Sequence, residues 1–133
     1  MEETNQDIRE KLPFTHKIFF PFPKLTDVQE KTIPVILSKK NSLIISPTAS
    51  GKTEAVMAPI CERMMEECNG EFSSRELLLI YIVPTKALVN DIYKRLENKL
   101  ARLNITSASK TGDVNNFKIN HPQNVLFTTP ESC

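Results

Sequence analysis

Ser42-Leu43-Ile44-Ile45-Ser46-Pro47-Thr48-Ala49-Ser50-Gly51-Lys52-Thr53 is a short apolar run that ends in a turn of small residues and then in Gly-Lys-Thr. The general phosphate-loop pattern is Gly, four residues, Gly-Lys, then Ser or Thr, and only the first glycine is missing here, replaced by Ser46. The context fits as well, because the apolar run reads as a strand entering the loop and a helix is expected to begin at Lys52-Thr53. In such a turn the backbone N–H groups and the helix dipole together hold a triphosphate. Lys52 would add a positive charge at the β and γ phosphates, and the Thr53 hydroxyl would ligate Mg²⁺, so ATP and Mg²⁺ are the expected cofactors. The plainer alternative is a Gly-Lys-Thr that merely opens a helix after a turn.

Outward from the loop, residues 77–83 form a second unalternating apolar run. Runs of this kind suit strands covered on both faces, as in a parallel sheet. Between the two, residues 54–68 read as a helix with Ala55, Ala58, Ile60, Cys61, Met64, Met65 and Cys68 on or near one side, stopped by Asn69-Gly70. A further helix follows, in which Leu88, Ile92, Leu96, Leu100 and Leu103 recur at helical spacing. Its opposite face carries Lys94, Arg95, Lys99 and Arg102, interrupted by Asp91 and Glu97, and reads most simply as a solvated face. Residues 105–108 and 124–129 are the third and fourth candidate strands. The alternation predicts an α/β domain, a mostly parallel sheet flanked by helices.

Upstream, Thr26 or Asp27 can cap a helix carrying Val28, Ile33, Val35, Ile36 and Leu37, with Pro34 kinking or dividing it. Residues 1–25 mix Pro13, Pro21 and Pro23 with Phe14, Phe19, Phe20 and Phe22, which predicts an extended strap, and the domain proper is expected over residues 26–133. A net charge of +1 neither demands nor excludes a nucleic-acid partner, so any such binding must come from local sites. Cys61, Cys68 and Cys133 make neither a disulfide framework nor a metal pair, and His16 and His121 stand without ligand partners at metal spacing. The acidic, polar N-terminus is unlike a signal peptide and no run reaches the length of a membrane span, which points to a reducing, cytoplasmic setting.

Residues 46–55, Ser-Pro-Thr-Ala-Ser-Gly-Lys-Thr-Glu-Ala, resemble the helicase form of the phosphate loop, which commonly reads Ala-Pro-Thr-Gly-Ser-Gly-Lys-Thr and does not require the first glycine. Phe22-Pro23-Lys24-Leu25-Thr26-Asp27-Val28-Gln29 resembles the Q motif, Pro84-Thr85-Lys86-Ala87-Leu88 resembles motif Ia, Thr111-Gly112-Asp113 the glycine motif, and Thr128-Thr129-Pro130-Glu131-Ser132 motif Ib. In this order the stretches resemble a superfamily-two DEAD/DEAH-box helicase of the Lhr-like/Ski2-like branch, over the N-terminal part of its first RecA-like domain.

That resemblance implies a nucleotide site built from Phe22, which stacks on the adenine, Gln29, which reads its edge, and Thr48, Ala49, Ser50, Gly51, Lys52, Thr53 and Glu54 around the phosphates. Lys52 and Thr53 are the implied catalytic pair, and Thr53 is the implied metal ligand. It also implies contacts to single-stranded DNA or RNA from Pro84, Thr85, Lys86, Gly112, Thr129, Pro130 and Glu131. On residues alone, a helix N-terminus with free N–H groups, a hydroxyl and an ammonium suits a phosphate, although a capped helix with one exposed lysine does equally well.

Hydrolysis in such a motor needs a carboxylate pair at a strand end, one holding Mg²⁺ and one orienting water, and the 133 residues contain none. In the family that pair and the arginine fingers lie further along the chain. The expectation is therefore the ATP-binding part of an ATP-dependent helicase, with negligible turnover of its own. The alternatives are a non-catalytic nucleotide- or nucleic-acid-binding module, and a phosphate-loop ATPase of another kind.

Overall fold

Thr26 opens the first long helix by a reciprocal cap, its hydroxyl accepting from Gln29 N while the Gln29 side chain accepts from Thr26 N. The computed structural model describes residues 5–47, 51–69 and 76–133. They fall into two compact units divided between residues 70 and 71.

The first unit is helical: α1 (Asn5–Glu10), α2 (His16–Phe19), α3 (Asp27–Leu37) and α4 (Lys52–Glu67). Helix α3 packs on α4, burying Ile33 and Ile36 on one side and Ala55, Ala58, Cys61, Met64 and Met65 on the other. Both helices carry an internal proline, Pro34 and Pro59, and neither is divided by it. Packing outweighs the hydrogen bond that each proline removes. The C-terminus of α4 is turned at Asn69, at φ 51°, and Gly70 of the expected stop lies outside the described residues.

Two expectations for this unit are corrected. Residues 1–25 were expected to be extended, yet α1 and α2 are helical, with Ile8, Leu12, Phe19 and Phe20 buried. The anchor of this region is a carboxyl group: Glu62 of α4 is fully buried, and its Oε1 accepts from Phe14 N (3.0 Å), Thr15 N (3.1 Å) and the Thr15 hydroxyl (3.2 Å). The second correction concerns the apolar run at 42–45, which carries no strand pairing, with Leu43 and Ile45 exposed at 87% and 86%. A strand exists only where a neighbour supplies the ladder, and the first unit has no sheet among its described residues. A cleft of about 590 Å³ lies between this run and α3, lined by Thr26, Lys31, Val35, Leu43 and Ile45 among others.

The second unit is a three-stranded parallel sheet with one long helix: β1 (Leu79–Ile82), α5 (Lys86–Arg102), β2 (Ser107–Lys110) and β3 (Val125–Thr128), closed by a 3₁₀ turn at Pro130–Ser132. The strand order is β1-β3-β2. Only central β3 is buried along its whole length; β1 leaves Ile80 and Ile82 about half exposed, so the expectation of cover on both faces holds for one strand alone. Tyr81 and Tyr93 pack their rings on Phe127, with centroids 5.4 and 5.9 Å away. The expected stripe of α5 is buried at Leu96, Leu100 and Leu103, whereas Leu88 is 45% exposed and Val89 takes the buried place. Strand β2 begins two residues later than expected because Asn104, at φ 60°, and the bond from Ile105 N to Leu100 O use that stretch to end the helix. Among the described residues no helix is long and apolar enough to cross a membrane.

Candidate nucleotide and nucleic-acid sites

In the first unit the residues expected to hold nucleotide gather at the start of α4. Gly51 is its N-cap, at φ 81° and ψ 24°, and as a glycine it brings no side chain of its own to cap the helix. The first-turn N–H groups of a helix left in this way can receive an anion. Lys52 Nζ donates to Ser46 O at 2.8 Å. Lys52 and Thr53 are partly exposed, and Glu54 is buried. Thr48, Ala49 and Ser50 lie outside the described residues.

Gln29 is only 6% exposed, and its position is explained by two bonds. Its Oε1 accepts from Thr26 N at 2.9 Å, and its Nε2 donates to Gly51 O at 3.3 Å. A primary amide has two donors and two acceptor sites. One of each is used here, leaving one N–H and one lone pair, the complement that an adenine edge requires. The amide also explains why residue 51 is glycine beyond its left-handed backbone, since a Cβ there would run into Gln29 Nε2. Phe22, the expected stacking partner, is 62% exposed in the segment between α2 and α3.

In the second unit the parallel register matches Ile82 and Lys110 with Thr128, so the three strands end at one level. The loops that follow them therefore share one sheet edge, where ligands bind in open α/β sheets. They carry Pro84, Thr85 and Lys86 after β1, Gly112 after β2, and Thr129, Pro130 and Glu131 after β3. Thr85 caps α5, its hydroxyl accepting from Leu88 N at 3.2 Å. Lys86 Nζ donates to Asp113 Oδ1 at 3.2 Å, and a Cβ on Gly112 would lie 3.2 Å from the same Nζ. The sequence thus separates Lys86 from Gly112 by 26 positions and the fold puts them side by side. Thr129 is buried, with Pro130 and Glu131 exposed beyond it.

Thr26, one of the two expected caps, completes a Thr-x-x-Gln capping box that was not singled out from the sequence although its pattern is legible there. Asp113 as the partner of Lys86, and Glu62, carry no sequence signal, since both depend on tertiary placement. The His16 imidazole is pushed down by desolvation and by the charges of Lys17 and Arg9, in keeping with a structural role. Among the described residues no group of three or more His, Cys, Asp or Glu could hold a metal.

Comparison with known proteins assigns the chain a family. The family profile described as DEAD/DEAH box helicase matches residues 26–133. The ATP-dependent helicase Lhr-Core of Sulfolobus acidocaldarius is 31% identical over 129 residues, a match covering 88% of this chain and 14% of that protein. Lhr-Core of Methanothermobacter thermautotrophicus is 35% identical over 127 residues, 84% of this chain and 15% of the relative. The chain thus spans about a seventh of the length of these relatives. Among solved structures, a DEAD-box helicase bound to ssRNA and UDP-BeF superposes with a TM-score of 0.75 at 25% identity, covering 99% of this chain and 29% of that one. A hypothetical ATP-dependent RNA helicase from Sulfolobus tokodaii superposes with a TM-score of 0.66 at 23% identity over 97% of this chain and 35% of that one, which supports the fold. The matched profile covers most of the residues, and the chain belongs to the DEAD/DEAH box helicase family.

Proposed function

We propose that the chain is the ATP-binding part of an ATP-dependent nucleic-acid helicase, in which residues 26–133 form the first portion of a RecA-like domain and residues 1–25 brace it. The observation that carries the reading is the bond from Gln29 Nε2 to Gly51 O, which joins the base-reading residue to the N-terminus of the phosphate-binding helix. Lys52 is the cation for the β and γ phosphates, Thr53 holds Mg²⁺ through its hydroxyl, and Glu54 with the loop residues Thr48, Ala49 and Ser50 completes the cradle. Bound Mg²⁺ would neutralise charge between the β and γ oxygens. Gln29 and Phe22 select adenine by hydrogen bonding and stacking. On the sheet edge of the second unit, Thr85, Lys86, Gly112 and Thr129, with Pro130 and Glu131, contact the backbone of single-stranded DNA or RNA. The setting is reducing and cytoplasmic, in line with three free cysteines.

Calorimetric titration of the 133-residue chain with ATP and Mg²⁺ tests the first half of this reading. Saturable binding that Lys52→Ala weakens by about tenfold or more is expected, from the loss of a charge-assisted phosphate contact. Undiminished binding by that variant would overturn the assignment. For the second half, single-stranded oligonucleotide binding should weaken with salt and with Lys86→Ala.

A further inference from the structure

Phe22 lies between two prolines, Pro21 and Pro23, which lack the N–H groups that would let this segment organise its own backbone. Its order comes from α1 instead. The Arg9 guanidinium donates through Nη1 to Phe20 O at 2.7 Å and through Nη2 to Phe22 O, while Arg9 Nε donates to Asn5 Oδ1 at 2.9 Å. Asn5 Nδ2 in turn donates to Pro23 O at 3.3 Å. Two side chains one helical turn apart thus hold three carbonyls of the four-residue stretch 20–23. Buried Phe20 anchors one end of that stretch, and buried Leu25, beside the capping box, anchors the other. The Phe22 ring, 62% exposed, thus stands on a backbone that these bonds hold.

We propose that Arg9, oriented by Asn5, is a positioning residue for purine-nucleotide binding: it fixes the backbone of Phe22 so that the ring is preset to stack on the base. The inference rests on the reading of Phe22 and Gln29 as the base-contacting pair. A planar guanidinium suits the task, because its fixed fork of donors reaches two carbonyls together, which a lysine cannot do. Presetting the segment removes an ordering cost that would otherwise fall on the ligand.

The test compares ATP with inorganic tripolyphosphate, each with Mg²⁺, on the full 133-residue chain. The wild type should bind ATP more tightly than tripolyphosphate. Arg9→Ala should lose about tenfold in ATP affinity, as expected for an unfixed segment, and change tripolyphosphate affinity by less than about twofold. Phe22→Ala should show the same selective loss, the double variant should lose little more than either, and Arg9→Lys should recover only part. Arg9→Ala lowering both ligands equally would mean a general structural role, and unchanged affinity for both would mean no role. Either result overturns the proposal while leaving the reading of Phe22 in place. Wild-type chain with no preference for ATP over tripolyphosphate would overturn that reading and the proposal with it. Should Arg9→Ala fail to fold by circular dichroism, Asn5→Ala carries the test, with a smaller selective loss expected and an unchanged ratio counting against the proposal.

Discussion

Gly51 meets two demands at one position. Its φ of 81° disfavours any residue with a Cβ, and the Gln29 amide occupies the space that a Cβ would need. Gly51→Ala should destabilise the chain by about 1–2 kcal/mol from the backbone alone, and displacement of the amide adds to that. A urea titration with an unshifted midpoint would contradict it. At the other site, the exposed pair of Lys86 and Asp113, at 3.2 Å, sets a carboxylate in competition with any phosphate. Such a pair is weak in itself. Asp113→Asn is therefore expected to raise the affinity for single-stranded oligonucleotide about two- to fivefold at low salt, with the difference shrinking as salt screens it. Fluorescence anisotropy at two salt concentrations would show this, and weaker binding by the variant would refute it.

Among the elements, α4 carries the most informative side chain. The Glu62 carboxyl is pushed above its ordinary value of 4.5, first by desolvation, against hydrogen bonds from Phe14 and Thr15 that pull it down. Its Oε2 has no hydrogen-bond partner. Because the folded pKa is the higher one, the unfolded chain ionises first. The stability due to a protonated Glu62 is then complete below the ordinary value and is lost as pH rises through the folded pKa. Urea midpoints compared between about pH 4 and pH 8 should fall more steeply for the wild type than for Glu62→Gln, which keeps the accepting oxygen but cannot ionise. Parallel curves would exclude the effect. The neighbouring Cys61 thiol, pushed up to about 12 by burial and by the Glu62 charge, should resist alkylation in the folded chain, whereas exposed Cys133 reacts.

Helices α3, α4 and α5 were legible in the sequence because a cap, a periodic apolar face and a stop are local signals. Strand β3 was legible as an unalternating run. The run at 42–45 has the same apolar signature and no pairing, because periodicity reports burial preference and not the presence of a neighbour to bond with. Prolines among aromatics suggested an extended strap at 1–25, but the conformation there follows from Glu62 and Arg9, whose partners are distant or unpatterned in sequence. In the site, the residue types around the phosphate loop could be read directly. The bond between Gln29 and Gly51 could not, since it spans 22 positions.

For the molecule as a whole, the absence of an Asp-Glu pair from these 133 residues leads to the expectation that ATP is bound but not hydrolysed at a measurable rate by this chain. Steady phosphate release that disappears in Lys52→Ala would refute it. Exposed Leu43 and Ile45, together with half-exposed Ile80 and Ile82 on an edge strand, should make the chain associate with itself as concentration rises. Light scattering should detect this, with Leu43→Lys and Ile45→Lys reducing it.

The strand order β1-β3-β2 also permutes the motifs in space. Along the chain, Lys86 comes first, Gly112 second and Thr129 last, but the loops after β1 and β2 touch through Lys86 and Asp113 although their strands flank β3. An oligonucleotide laid over that edge would meet the residues in the order of space. Photo-crosslinks mapped base by base should then place residues 85–86 and 111–112 on the same or neighbouring nucleotides, so the path of the ligand would be written in the contacts of the fold and not in the reading order of the chain.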